Sequence, residues 1–188
     1  VLIDQPQLWW PNGLGNANLY AFTIDLLQDD RCFDSKQIDI GLRTIEVINH
    51  PDQHGECFYI KVNGHSVFMK GANYIPSDSF LNRVDTHKYR QIFEDAVAAN
   101  MNMLRVWGGG IYENDEFYKL ANEYGILIWQ DFMFACTLYP ADESFLDDVK
   151  AEAEYNIKRL RTPPCIALWC GNSEVVLGIH DWQWPAPV

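Results

Sequence analysis

Over the first fifty positions apolar and polar residues alternate; beyond them the chain turns to longer amphipathic runs. Leu19–Leu27 (LYAFTIDLL) and Gln37–Ile45 (QIDIGLRTI) have a period of two, and Pro11-Asn12-Gly13 and Gln28-Asp29-Asp30 supply turn residues around them. That period is expected of antiparallel strands with one buried face. These strands are too few for a complete sandwich, so residues 1–49 are expected to be the last part of an immunoglobulin-like one. His50 to Gly55 is polar and bounded by Pro51 and Gly55, which predicts a linker. Phe58–Val62 and Ser66–Lys70 then flank Asn63-Gly64, the strongest hairpin signal in the chain.

From there strand and helix patterns alternate. Val67–Tyr74 predicts a first strand. A helix capped by Asp85 or Thr86 follows, with Tyr89, Ile92, Phe93, Ala96 and Val97 on one face. Met103–Trp107 predicts a second strand ending in Gly108-Gly109-Gly110, and a helix carrying Phe117, Leu120, Ala121 and Tyr124 stops at Gly125. Ile126–Phe132 is the third strand. Asp142 to Arg161 predicts a long helix with acidic residues first and Lys158, Arg159 and Arg161 last, the order that suits the helix dipole. Its core stripe is expected to be Phe145, Leu146, Val149, Ala153, Ile157 and Leu160, and Pro163-Pro164 ends it. A fourth strand, Ile166–Cys170, leads to Glu174. This βαβαβαβ order implies a parallel sheet. A complete eight-stranded barrel takes roughly 250 residues, and about 120 follow the hairpin, so residues 50–188 predict the first half of a (β/α)8 barrel, about four βα units. A doubly wound open sheet competes, but no Gly-x-Gly-x-x-Gly follows the first strand.

Composition narrows the classes of partner. With 26 acidic against 14 basic residues the net charge is −12, which repels a phosphate backbone and sets nucleic acid aside. No apolar run is long enough to span a bilayer, so no membrane partner is expected. Aromatic residues make up 14% of the chain, including 7 Trp and 9 Tyr, an excess that suits either a packed core or the stacking of flat ligands such as sugar rings. The 5 cysteines follow no metal-ligand spacing and are expected as buried reduced thiols; His50 and His54 sit in a loop and make a poor metal pair. No metal and no cofactor is therefore expected. The chain starts Val1-Leu2-Ile3-Asp4 without Met, basic region or signal core, so a longer parent is expected and its compartment (periplasmic, secreted, cytoplasmic or lysosomal) stays open.

The candidate chemistry lies just beyond the strand ends, where barrel enzymes gather their active residues. Asn73 ends the first strand, Arg105 and Trp107 the second, and Asp131 the third; Glu174 follows the fourth. A glutamate in apolar surroundings can act as a general acid near neutral pH, although the alternative of a helix-capping glutamate stands beside it. Arg105 either keeps a neighbouring nucleophile ionised or forms a structural ion pair. Trp107 either floors a sugar subsite or packs in the core. Asp131 either accepts from sugar hydroxyls or caps the next loop. Trp182 and Trp184, in a Pro-flanked tail, are better placed for stacking a ligand than for packing. The triple glycine lacks a following Gly-Lys-Ser/Thr and is expected to be a tight turn where a ligand approaches the backbone.

Six ordered blocks, LWWPNGLG (8–15), GLRTIE (41–46), KGANYIPSDSF (70–80), NMNMLRVWGGGIYE (100–113), WQDFMFAC (129–136) and ALWCGNSE (167–174), resemble the β-mannosidase branch of glycoside hydrolase family 2. The resemblance runs from about residue 8 to 182. It implies β-sandwich domains ahead of a catalytic TIM barrel, joined just after the GLRTIE strand. It also implies a retaining exo-hydrolase acting on non-reducing-end β-mannosides or manno-oligosaccharides. By resemblance Glu174 matches the acid/base, Arg105 the arginine near the nucleophile, and Trp107, Asp131 and Trp182 the sugar-binding positions; Asn73 and Ser173 join the expected substrate-binding set by their placement. A retaining mechanism needs a second carboxylate roughly 5–5.5 Å from the first. The resemblance places that glutamate on a later strand, beyond Val188, so the segment alone is expected to be inactive.

One position departs from the family pattern. Asn usually precedes the acid/base, where its amide meets the sugar 2-hydroxyl; here the residue is Ser173, shorter and with a single donor. Two further readings therefore stay open: another family 2 exo-glycosidase of β-glucosaminidase or β-galactosidase type, and a non-catalytic carbohydrate-binding relative. Homo-oligomerisation of the parent is also open.

Overall fold

The computed structural model describes residues 1–184. It is a mixed α/β structure with three sheets: the antiparallel pair β1 (Tyr20–Gln28) and β2 (Arg31–Ile40); the antiparallel β3 (Ile45–Asp52), β4 (Gly55–Val62) and β5 (His65–Val67); and a four-stranded parallel sheet in the order β6 (Gly71–Tyr74), β7 (Met103–Val106), β8 (Leu127–Asp131), β9 (Ile166–Cys170). Helices α1 (Thr86–Ala98), α2 (Asp115–Tyr124) and α3 (Glu143–Arg159) connect the parallel strands, and α4 (Val175–His180) follows β9. The helix ends follow the sequence signals. Asp85, Asn114 and Asp142 each accept a backbone N–H of the first turn, and Gly125 closes α2 at φ 68°.

The core lies between the parallel sheet and α1 and α2. Phe117 is fully buried, with ring centroids 4.8 Å from Tyr74, 5.0 Å from Phe93 and 5.6 Å from Tyr89. Leu104, Val106, Leu127 and Ile128 fill the sheet side. The amino-terminal segment closes the opposite end. Trp9 is 0% exposed, and its indole N–H donates to the Asn122 carbonyl at 2.8 Å.

Several expectations change. Gln37–Ile45 is not one strand: β2 stops at Ile40 and β3 starts at Ile45. A Cβ on Gly41 would lie 2.6 Å from Pro164 and 3.0 Å from Trp9, and Arg43 donates to the carbonyls of Pro164 and Ile166. The chain leaves the strand there to dock against the entrance to β9. His50–Gly55 is no linker, since His50, Pro51 and Asp52 pair with Cys57, Glu56 and Gly55 in a hairpin. Val67–Tyr74 divides into β5 and β6. The cause is Asn102, whose amide accepts from Lys70 N–H at 2.8 Å and donates to the Phe68 carbonyl at 3.0 Å, taking the groups a continuous ladder needs.

The buried face expected for the first strands is also absent, because nearly every residue of β1 and β2 is exposed among the described residues. Of the stripe expected on α3, Phe145, Val149 and Ala153 are half-buried, Leu146 and Ile157 exposed, and only Leu160, at the C-cap, is buried; the buried residue within the helix itself is Asn156. The cysteines are free, yet only Cys165 is buried; Cys32 and Cys136 are exposed. Burial pushes the Cys165 thiol well above its ordinary range.

Candidate active site at the carboxyl ends of the parallel strands

Each parallel strand delivers one or two polar side chains at its carboxyl end. Asn73 from β6, Arg105 and Trp107 from the end of β7, and Ser173 and Glu174 beyond β9 line one cavity of about 280 Å³ together with Ile75. Five of the seven residues expected at a site therefore meet in one place.

Arg105 is fixed from behind. Its Nη2 and Nε donate to Asp131 Oδ2 and Oδ1 at 2.7 and 3.2 Å, and its Nη1 reaches Asn73 Oδ1 at 3.4 Å. The Asp131 side chain is 0% exposed, whereas that of Arg105 is 26% exposed. Asp131 Oδ2 also accepts the Gly108 N–H at 3.1 Å. Among the described residues, then, Asp131 does not line the cavity. Its oxygens hold the guanidinium and the first residue of the glycine turn, so the cavity meets Arg105 with Asp131 behind it. Such a bidentate pair gains direction as well as energy. Arg105 also lies 5.7 Å from the centroid of Trp129.

Trp107 is held at its indole N–H, which donates to Ser173 Oγ at 2.9 Å. Ser173 is 2% exposed; its hydroxyl oxygen accepts from the indole and keeps its own O–H to donate. The glycines explain the close geometry. A Cβ on Gly109 would fall 2.1 Å from the Trp107 ring, and one on Gly108 2.6 Å from the Phe132 carbonyl oxygen. Only glycine lets the ring lie down on its own turn.

Glu174 stands in the left-handed region at φ 64° and makes no capping hydrogen bond with its side chain; Asn172 Oδ1 accepts the Val175 N–H instead, at 3.0 Å. The helix-capping alternative thus falls to Asn172. The Glu174 side chain is exposed, so the described residues do not supply the apolar enclosure expected of it. Its one side-chain hydrogen bond among them comes from the Cys136 thiol, which donates to Oε2 at 3.1 Å. Cys136 also has a positive φ, 49°. Left-handed backbone at two non-glycine residues costs on the order of 1 kcal/mol each and clusters at functional sites.

Trp182 is 50% exposed, with its ring 5.8 Å from that of Trp184, and it does not line the cavity. Trp184 packs against Gly178, where a Cβ would lie 2.5 Å from the ring. The sequence pattern also missed Glu113. It is 2% exposed under the loop that follows the triple glycine and accepts from the hydroxyls of Tyr74 (3.1 Å) and Tyr89. Burial first, then this carboxyl group, pushes both phenols up. A larger cavity of about 580 Å³ lies between this loop and α3, but Arg159 there is already paired with Asp115 and none of the strand-end residues reaches it.

A polar cavity at the carboxyl ends of parallel strands, holding a carboxylate, a guanidinium and an indole, suits a sugar. Comparison with known proteins agrees. Residues 1–43 match the family model Glycosyl hydrolases family 2. The β-mannosidase of Capra hircus is 48% identical over 181 residues, 93% of this chain and 21% of that protein. β-Mannosidase B of Emericella nidulans is 42% identical over 172 residues, 92% of this chain and 20% of that protein. The crystal structure of a β-D-mannosidase from Dictyoglomus thermophilum superposes with a TM-score of 0.93 at 50% identity, covering 96% of this chain and 23% of that one. An exo-chitosanase from Amycolatopsis orientalis shares the fold, with a TM-score of 0.77 at 24% identity, 89% of this chain and 20% of that one. The chain belongs to glycosyl hydrolase family 2. Within that family its likeness is to the β-mannosidases. It spans about a fifth of the length of the curated relatives it matches.

Proposed function

We propose that this segment carries the acid/base half of a retaining exo-β-mannosidase, with Glu174 as the acid/base. The observation that carries the proposal is the meeting of Asn73, Arg105, Trp107, Ser173 and Glu174 at one cavity, in a chain with this likeness to β-mannosidases. In double displacement the acid/base first protonates the departing glycosidic oxygen, then takes a proton from the water that frees the sugar. Glu174 is exposed at the cavity and can serve both steps. Arg105, locked by Asp131, presents positive charge where the nucleophile of the full-length protein would lie, and Trp107 offers a flat apolar face to the sugar. The mechanism also needs a second carboxylate as nucleophile, which this reading places in the full-length protein.

The architecture belongs to the same proposal. The four parallel strands are the first half of a (β/α)8 barrel within 50–188, and β1 and β2, within 1–49, close an immunoglobulin-like sandwich, with β3 crossing the boundary between them. Further barrel strands would cover β6 and β9, the outer strands of the sheet, and further helices the half-exposed face of α3. Trp182 stays exposed for a ligand in the whole protein, and Asp131 acts on the sugar through Arg105.

The full-length protein should release mannose from an aryl β-mannoside, and Glu174→Gln should abolish turnover of substrates with poor leaving groups. Undiminished turnover in the mutant would refute the assignment. A second reading rests on Ser173, whose oxygen accepts from Trp107 and whose single O–H is the one donor it can offer a sugar hydroxyl, where an amide would offer two. It is an exo-glycosidase for another sugar, and a panel of aryl β-mannoside, β-glucosaminide and β-galactoside separates the two. A protein lacking the downstream glutamate would instead be a non-catalytic binder.

A further inference from the structure

The side chain of Glu174 is held neither by its own helix nor by the arginine of the site. The cap of α4 uses Asn172, and Arg105 is spent on Asp131 and Asn73. What reaches it is Cys136, from the loop after β8. The two residues are brought together by a short extension of the sheet beyond β8 and β9. Ala135 and Ser173 form an isolated parallel bridge, Ser173 N–H donates to the Phe134 carbonyl at 2.8 Å, and Cys136 N–H donates to the Ser173 carbonyl at 3.1 Å. One residue past that bridge, both segments turn into the left-handed region, Cys136 at φ 49° and Glu174 at φ 64°. Two uncommon backbone conformations thus face each other, and what they achieve is a thiol beside a carboxyl group.

We infer that Cys136 is a positioning residue for the acid/base: its thiol fixes Oε2 of Glu174 at the cavity and leaves Oε1 for the proton transfers. This rests on Glu174 being the acid/base. The hydrogen bond to the Glu174 carboxyl group pushes the thiol above its ordinary range, which keeps it in the protonated form that donates. An exposed glutamate has many rotamers, and proton transfer needs the donor within hydrogen-bond reach of the leaving oxygen. A single well-placed donor narrows that choice. The proton it donates stays on sulfur throughout, and no covalent step involves it.

The test uses the full-length enzyme with two β-mannosides, one with a 2,4-dinitrophenyl leaving group that departs with little acid assistance and one with a methyl leaving group that needs it. Cys136→Ala should lower kcat/KM on the methyl glycoside by about tenfold and leave the glycosylation step on the dinitrophenyl glycoside within about twofold. Cys136→Ser, which restores a donor, should recover most of the loss. Equal losses on both substrates in the Ala and Ser variants would mean a structural role only and would overturn the inference, as would unchanged activity on the methyl glycoside. A wild-type protein that cleaves neither β-mannoside would overturn the functional reading itself, and this inference with it. Circular dichroism of both variants, matched to wild type, separates these results from misfolding.

Discussion

Replacing Asp131 by alanine removes the carboxylate that holds Arg105 and Gly108, and its cost can be worked from the structure. The side chain is 0% exposed and accepts from Arg105 at 2.7 and 3.2 Å and from Gly108 N–H at 3.1 Å. Breaking a fully buried ion pair by removing one partner costs about 3–5 kcal/mol. Arg105 is 26% exposed, so water can take up part of its lost bonding and this term falls to the low end of that range or below. The buried Gly108 N–H, left without an acceptor, adds about 1–3 kcal/mol. The two terms share one carboxylate and do not simply add, which leaves about 3–4 kcal/mol. Urea unfolding of the full-length protein, followed by tryptophan fluorescence, should show the lowered midpoint, since Trp107 and Trp129 lie beside the pair. Activity should fall further than stability suggests, because the guanidinium loses its aim. Asp131→Asn keeps one acceptor but sets an amide NH2 against the guanidinium, so it should lie between wild type and alanine. An alanine variant with an unchanged midpoint and kcat/KM within about twofold would refute this account of the site.

Gly109→Ala places a Cβ 2.1 Å from the Trp107 ring, so the indole must leave Ser173. We expect kcat/KM to fall by at least about tenfold with a changed near-ultraviolet circular dichroism spectrum, and an unaltered enzyme would contradict the packing described. Asp142 caps α3, accepting from Ser144 Oγ and Phe145 N–H, and these bonds hold its carboxyl group below the usual aspartate range. Its contribution is present above the unfolded value, about 3.9, and is lost as pH falls through the lower folded value. Melting curves of wild type and Asp142→Asn should therefore differ above about pH 4 and converge below it; a pH-independent difference would contradict the cap.

Helices α1 to α3 and the parallel strands were legible because each has a local cause; α4 was not read from the sequence. Asn114 and Gly125 bracket α2, and the run Leu104–Val106 has nowhere to go but a buried strand. The strand breaks were not legible, because their causes are distant in sequence. Asn102 interrupts the chain at Phe68–Lys70, and Pro164 and Trp9 press on Gly41 from opposite ends of the chain. Likewise the placement of Asn73, Arg105, Trp107, Ser173 and Glu174 at strand ends could be read, since it follows from the alternation of elements. Their mutual bonds could not. Cys136 looked like one more buried thiol, although it stands at the end of the block WQDFMFAC; nothing local shows that its loop would meet the residue before Glu174 through one bridge.

The buried position of Asp131 governs how the cavity is tuned. A carboxylate facing the cavity would itself accept from a ligand, and a variant there would change binding directly. A carboxylate buried behind Arg105 acts only through the arginine, and through Gly108 on the turn beneath Trp107. The charge and the indole that line the cavity are therefore tied to one hidden group, while Ser173 ties that indole in turn to the residue before Glu174. Asn73, by contrast, is exposed and meets Arg105 only at 3.4 Å, so it is the member of the set freest to answer a ligand. Differences in sugar preference between this protein and its relatives should then follow changes at Asn73 and Ser173 more closely than changes at Asp131, whose loss disables the site whatever the sugar.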